Sequence, residues 1–243
     1  MSPEALKWIV LPVVALLAAT LAAVTGFGGA AVLLPVLVAV FGIRAAIPIL
    51  TVGQLIGNGA RAWFNRGELE WRVVGWFSLG GVPLALVGGY LFAVAPLPAL
   101  TRLLGAFLLL IVIWRHARPQ ETKSFPAPAF AGIGAGSSLL SALLGSVGPL
   151  MAPFFLAYGL AKGAYIGTEA MCTVVMHVTK LVAYGQTAVL TGPDVLDGLW
   201  LGPLMIAGSY LGKRIVDRLP RSLFVAIIEI VLIVAGLDFL LRG

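Results

Sequence analysis

Apolar positions in this chain come in long unbroken runs. They cover about residues 6–25, 44–64, 73–94, 98–114, 127–144, 163–184, 199–216 and 222–241. Runs of this length and polarity predict helices that cross a bilayer. In hydrocarbon each backbone N–H and C=O must be paired within the protein, so helices are the expected form. A membrane β-barrel would need alternating positions, and these runs do not alternate. Two shorter apolar pieces, 30–41 and 149–158, each follow a glycine-rich break, Gly26-Phe27-Gly28-Gly29 and Gly145-Ser146-Val147-Gly148. At about 1.5 Å per residue neither piece reaches across a core about 30 Å thick. Each half is therefore expected to hold a hairpin that dips into the membrane.

Composition strengthens this reading. Of 243 residues, 60% are hydrophobic and 11% charged, against about a quarter charged in an ordinary soluble domain. Mean hydropathy is +1.04. The net charge of +6 sits mostly in short loops, where it sets orientation rather than binding nucleic acid. A single cysteine, Cys172, excludes an intrachain disulfide and a thiol relay. The N-terminal run reads as a membrane helix without a cleavable signal pattern. No ATP-binding motif is present, so direct ATP coupling would need another chain.

The order of elements repeats. Pro35 and Pro153 each follow a break, and Asn58-x-x-Arg61 corresponds to His177-x-x-Lys180. Pro83-Leu84-x-x-x-Gly88-x-Tyr90-Leu91 matches Pro203-Leu204-x-x-x-Gly208-x-Tyr210-Leu211, and Leu97-Pro98 matches Leu219-Pro220. The offset drifts from 118 to 122 residues, as small insertions would produce. Basic residues mark three segments as cytoplasmic: Arg66 and Arg72; Arg115, Arg118 and Lys123; and Lys213, Arg214, Arg218 and Arg221. A loop carrying Asp194 and Asp197 holds no basic residue and fits the outside. Both termini then fall outside and the halves are inverted. Inverted repeats are a signature of secondary transporters, with the substrate site near the midplane.

The predicted fold is an all-α polytopic membrane protein of two inverted-topology repeats, 1–118 and 127–243, joined by a cytoplasmic linker, 119–126. Each repeat has a Gly-broken hairpin plus three spanning helices, about eight segments in all.

Candidate chemistry gathers at the breaks. The helix after each break aims free N–H groups and a positive dipole end at whatever lies before it, and an anion is the natural guest. The alternative is that Gly26, Gly28, Gly29, Gly145 and Gly148, with Ser146, only let helices pack closely. Thr51, Gln54, Asn58 and Arg61 share one helix face. In the second half Thr168 or Glu169, with Cys172, Thr173, His177 and Lys180, takes the same part. Ionisable groups inside a membrane segment are costly and imply function by default, although Arg61 and Lys180 have the alternative of snorkelling to an interface. Glu169 has three readings: a pair with Lys180, a pair with His177, or a proton site. Glu229 is a second interior acid. His177 titrates near neutrality when solvated. Gly208-x-x-x-Gly212 suits packing inside the bundle more than a homodimer contact.

Two other classes compete with a carrier. An intramembrane hydrolase would pair Ser146 or Ser141 with His177, with Oγ within about 3 Å of the imidazole, and leaves the repeat unexplained. A passive anion channel or an assembly subunit is the other, but broken helices with two convergent cations fit a closed site better than a permanent pore.

The stretch Thr25-Gly26-Phe27-Gly28-Gly29-Ala30-Ala31-Val32-Leu33-Leu34-Pro35, with Gly42, Thr51 and Asn58, resembles the sulfite exporter TauE/SafE family. So does Gly145-Ser146-Val147-Gly148-Pro149-Leu150-Met151-Ala152-Pro153, with Gly159, Thr168 and Lys180. The resemblance covers both halves. It implies a multi-pass carrier of the bacterial inner membrane for sulfite, organosulfonates such as sulfoacetate, or related sulfur oxyanions and carboxylates. The second half departs from the family pattern at Gly145-Ser146-Val147-Gly148 and at His177, which leaves the particular substrate open. The expected partners are a small anion, the lipid bilayer and a coupling proton or sodium ion. No cofactor and no metal are expected.

Overall fold

A computed structural model describes residues 9–26, 28–117 and 126–215, with isolated helical positions at 233, 237, 240 and 241. Every regular element among the described residues is helical. Eight α-helices follow in order: α1 Leu11–Thr25, α2 Gly29–Phe64, α3 Trp71–Val94, α4 Leu97–Ala117, α5 Phe130–Leu144, α6 Gly148–Ala157, α7 Lys162–Gln186 and α8 Gly192–Ile215. Five of these, or α5 extended by its preceding turn, are long and apolar enough to cross a membrane: α2, α3, α5, α7 and α8. Most of the last predicted helix, 222–241, lies outside the described residues, and so do Glu229 and positions 119–125 of the predicted linker.

The distribution of polarity is that of a protein in lipid. Large apolar side chains face outward, among them Val13, Leu17, Leu79, Val94, Ile113 and Leu196. The polar groups Gln54, Asn58, Arg61, Glu169, His177 and Lys180 are buried. Water as solvent would favour the opposite arrangement. The chain is a multi-pass membrane protein.

The first short piece is joined to its successor. Helix α2 runs for 36 residues, but Gly42 is non-helical, with φ 73° and ψ 160°. The short segment after the first break and the span that follows thus meet at a kink that only glycine enters without strain. In the second half α6 ends at Ala157, and α7 begins separately at Lys162.

One predicted boundary is corrected. Asp194 and Asp197 lie in the first turns of α8, not in a loop before it. Thr191 and Asp194 form a reciprocal cap. The Thr191 N–H and hydroxyl donate to Asp194 Oδ2 at 2.9 and 2.7 Å, and the Asp194 N–H donates back to Thr191 Oγ1 at 3.4 Å. That arrangement satisfies otherwise orphan donors and starts the helix seven residues early.

Helix packing is reciprocal. α3 lies along α5 and α7, α8 lies along α1 and α2, and α2 crosses α7 at the centre. Small residues set the close contacts. A Cβ on Gly80 or Gly134 would strike the facing backbone of α5 or α3, at Ala131 and Phe77. One on Gly208 or Gly212 would strike α1 at Leu16, Ala19, Thr20 and Ala23. The Gly208-x-x-x-Gly212 face is therefore used inside the bundle.

Candidate functional site

Helices α1 and α5 both stop at a glycine in the left-handed region, Gly26 at φ 80° and Gly145 at φ 81°. Each glycine N–H bonds to the carbonyl four residues back, Ala22 and Ser141, both at 2.8 Å. A side chain at such a φ costs about 1–2 kcal/mol. The chain then turns into α2 at Gly29 and α6 at Gly148. First-turn N–H groups lack partners within their own helix and carry its positive dipole end.

Both breaks line a single cavity of about 30 Å³, roughly the share of one water molecule. Gly28, Gly29 and Ala30 contribute from the first break, and Gly145, Ser146, Val147 and Gly148 from the second. Gln54, Asn58 and Arg61 reach it from α2, and Glu169, Thr173 and His177 from α7. Their spacing along each helix places them on the inner face, since positions three, four and seven apart share a stripe.

Arg61 ties the first half together. Its Nη1 donates to the carbonyls of Ala22 and Gly26 at 2.9 and 3.1 Å. Its Nη2 donates to Asn58 Oδ1. Asn58 is held by its own Nδ2, which donates to the Gln54 carbonyl at 2.8 Å. The guanidinium therefore caps α1 at its negative dipole end, adding a second donor to the Ala22 carbonyl, which already accepts from the Gly26 N–H. It also faces Glu169 across the bundle, with Nη1 3.8 Å from Oε2.

That pairing replaces the expected partners of Glu169. His177 and Lys180 stand eight and eleven residues further along the same helix, about 12 and 16 Å at the helical rise. Arg61 arrives from the facing helix instead. Thr173 Oγ1 donates to Glu169 Oε1 at 3.2 Å. Among the described residues, three buried atoms at the cavity lack a hydrogen-bond partner: Gln54 Nε2, Glu169 Oε2 and His177 Nδ1. Orphan polar atoms are rare in folded interiors. Three around one cavity make it the candidate site.

Four candidates lie elsewhere. Gly26 does not line the cavity, and its carbonyl serves Arg61. Thr51 donates to the Ile47 carbonyl of its own helix at 2.7 Å. Thr168 Oγ1 accepts from the Glu70 N–H at 3.0 Å, tying the α2–α3 connection to α7. Lys180 is fully buried, and its Nζ donates to Ser141 Oγ at 3.1 Å. Ser141 lines the cavity, so the ammonium stands one hydroxyl away from it. Among the described residues no hydrogen bond joins Ser141 or Ser146 to His177.

Ser141, Met151 and Met176 line the cavity beyond the predicted binding set. The methionines carry no sequence signal in so apolar a chain. Arg44 was also unmarked. It donates to the Phe92, Ala93 and Ala95 carbonyls at 2.6, 2.8 and 2.9 Å, capping α3 as Arg61 caps α1. A cation within an apolar run, just past a glycine kink, was its available signal.

No curated protein and no solved structure matches the chain significantly. The sulfite exporter TauE/SafE family model, a family of membrane transporters, matches residues 11–239. With nearly its whole length covered, and with buried polar groups set inside a bundle of apolar helices, the chain belongs to the sulfite exporter TauE/SafE family.

Proposed function

We propose that this protein is a secondary carrier for a small oxyanion, with its substrate site between the two glycine-rich breaks. The observation that carries the reading is the shared cavity: two helix N-termini, the Arg61 guanidinium and the unpartnered Gln54 Nε2 meet there. Backbone N–H groups and a planar guanidinium match the oxygens of a sulfite or sulfonate group. The substrates that fit this chemistry are sulfite, organosulfonates such as sulfoacetate, and related carboxylates.

The mechanism requires two inverted repeats, 1–118 and 127–243, joined by 119–126, and residue spacing supports that reading. The pairs Ala22/Ser141, Gly26/Gly145, Asn58/His177 and Arg61/Lys180 all stand 119 residues apart. The packing is consistent with exchange of equivalent elements: α3 on α5 mirrors α8 on α1, and α3 on α7 mirrors α8 on α2. A cavity of about 30 Å³ is too small for an organosulfonate without movement of the surrounding helices. Rocking of one repeat against the other would open it to either side in turn, giving alternating access. Loop charges support an orientation with both termini outside a bacterial inner membrane.

Purified protein in liposomes tests this. Liposomes loaded with sulfite should release it faster than protein-free liposomes, and external sulfite or sulfoacetate should exchange with the internal pool. Release equal to the protein-free control for sulfite, sulfonates and small carboxylates alike would overturn the proposal.

A further inference from the structure

The Arg61–Glu169 pair makes the cavity an unusual host for an anion. Among the described residues Arg61 is the only Lys or Arg that lines it, and that guanidinium already faces a carboxylate. An oxyanion arriving beside ionised Glu169 would add its negative charge to that of the carboxylate against the one guanidinium in the cavity, the next cation being Lys180 behind Ser141. Uncompensated buried charge is costly. We propose that the substrate anion and the Glu169 carboxylate compete for Arg61, so that each anion bound loads one proton onto Glu169. This rests on the anion-carrier reading above and adds its coupling ion.

The geometry gives the proton a place. Thr173 holds Oε1, while Oε2 has no hydrogen-bond partner and faces the Nη1 of Arg61. A proton from bulk water adds to Oε2, giving a neutral carboxylic acid and freeing the guanidinium for the anion. No other bond is made or broken. The new O–H is a donor, so the competing group becomes a ligand for the anion. When the anion leaves, Arg61 recovers its partner and the proton returns to water. Proton and anion therefore travel together.

The other ionisable groups around Glu169 do not offer the same exchange. On its own helix lie Tyr165, Cys172 and His177, with Lys180 further along. His177 lines the cavity, but it stands near two cations, Arg61 and Lys180. Arg61 is the charged group that α2 presents. α5 presents Ser141, and α6 carries no charged residue. The only charged residue of α3 is Arg72, in its first turn. Glu68, from the α2–α3 connection, lies against Gly163 at the start of α7.

Calorimetric titration of the detergent-solubilised full chain with sulfite decides the matter. It is run in two buffers of different ionisation enthalpy, at a pH where free sulfite is wholly dianionic. The expected result is uptake of one proton per sulfite by the wild type and loss of that uptake in Glu169→Gln. Sulfite binding by the wild type without proton uptake overturns the inference and leaves the carrier reading standing. Proton uptake that persists in Glu169→Gln also overturns it, and assigns the proton to another group. No binding of sulfite, sulfoacetate or sulfate by the wild type defeats the carrier reading and this inference with it. The wild-type stoichiometry needs no variant to fold.

Discussion

The two glycine-rich breaks begin alike and then differ in backbone and in chemistry: Gly28, before α2, has φ 91°, and Val147, before α6, has φ −137°. Gly26 and Gly145 end their helices at φ 80° and 81°. Each is served by a cation 35 residues further on, Arg61 or Lys180. Arg61 holds two backbone carbonyls and the Asn58 amide and faces a carboxylate. Lys180 donates to one hydroxyl, and the end of α5 is held additionally by Tyr184, whose hydroxyl donates to the Ala142 carbonyl at 2.5 Å. Equivalent positions thus carry unequal loads. The planar, five-donor guanidinium serves both as structural clasp and as lining of the cavity. The compact ammonium supplies charge from behind.

This contrast is most easily broken at the cations. Arg61→Met removes one member of a buried pair and leaves Glu169 and two carbonyls without it. We expect a loss of about 3–5 kcal/mol of stability, read as a lower unfolding midpoint in detergent, and loss of sulfite transport. In a Glu169→Gln background the same substitution should be less damaging, because the two residues are coupled. Lys180→Met should leave stability unchanged or raised, since an apolar replacement of a weakly paired buried charge is often neutral or better. Equal losses for Arg61→Met and Lys180→Met would erase the distinction.

The glycines give the next largest effect. Gly26→Ala would drive its Cβ into the Tyr165 ring, whereas at Gly145 the nearest atoms are the ends of Leu34 and Leu50, 3.2 and 3.3 Å away. Both variants carry the left-handed penalty of about 1–2 kcal/mol, and Gly26→Ala should exceed Gly145→Ala in thermal unfolding. The reverse order would mean that the surroundings of the two breaks are not as described.

Lys180 then tests charge at a distance. Lys180→Met is expected to weaken sulfite binding about tenfold, equivalent to about 1.4 kcal/mol. Unchanged affinity would remove its field from the site. The smallest effects belong to the threonines. Thr168→Val should cost about 1 kcal/mol through the lost Glu70 N–H bond and leave sulfite affinity unchanged. Thr51→Val should alter neither measurably.

Much of the fold was legible from the apolar runs, because hydrocarbon permits few alternatives to a helix. The breaks were legible because glycine clusters have few other uses in such runs. The Thr191–Asp194 cap has a readable spacing, but the apolar run by itself begins only at Leu199, seven residues after the start of α8. The site was legible by face and not by partner. The spacing of Gln54, Asn58 and Arg61 placed them together. The partner of Glu169 was not readable, because it depends on how α2 crosses α7. Lys180 was expected beside the breaks, but the approach of α7 to α5 set it behind Ser141.

The most direct test of the account is an experimental structure of the protein with sulfite bound. The anion should lie between the breaks, within hydrogen-bond reach of Arg61 and Gln54, with its oxygens toward the N–H groups at the starts of α2 and α6. An anion bound at one break alone, or outside the bundle away from Arg61, would contradict it.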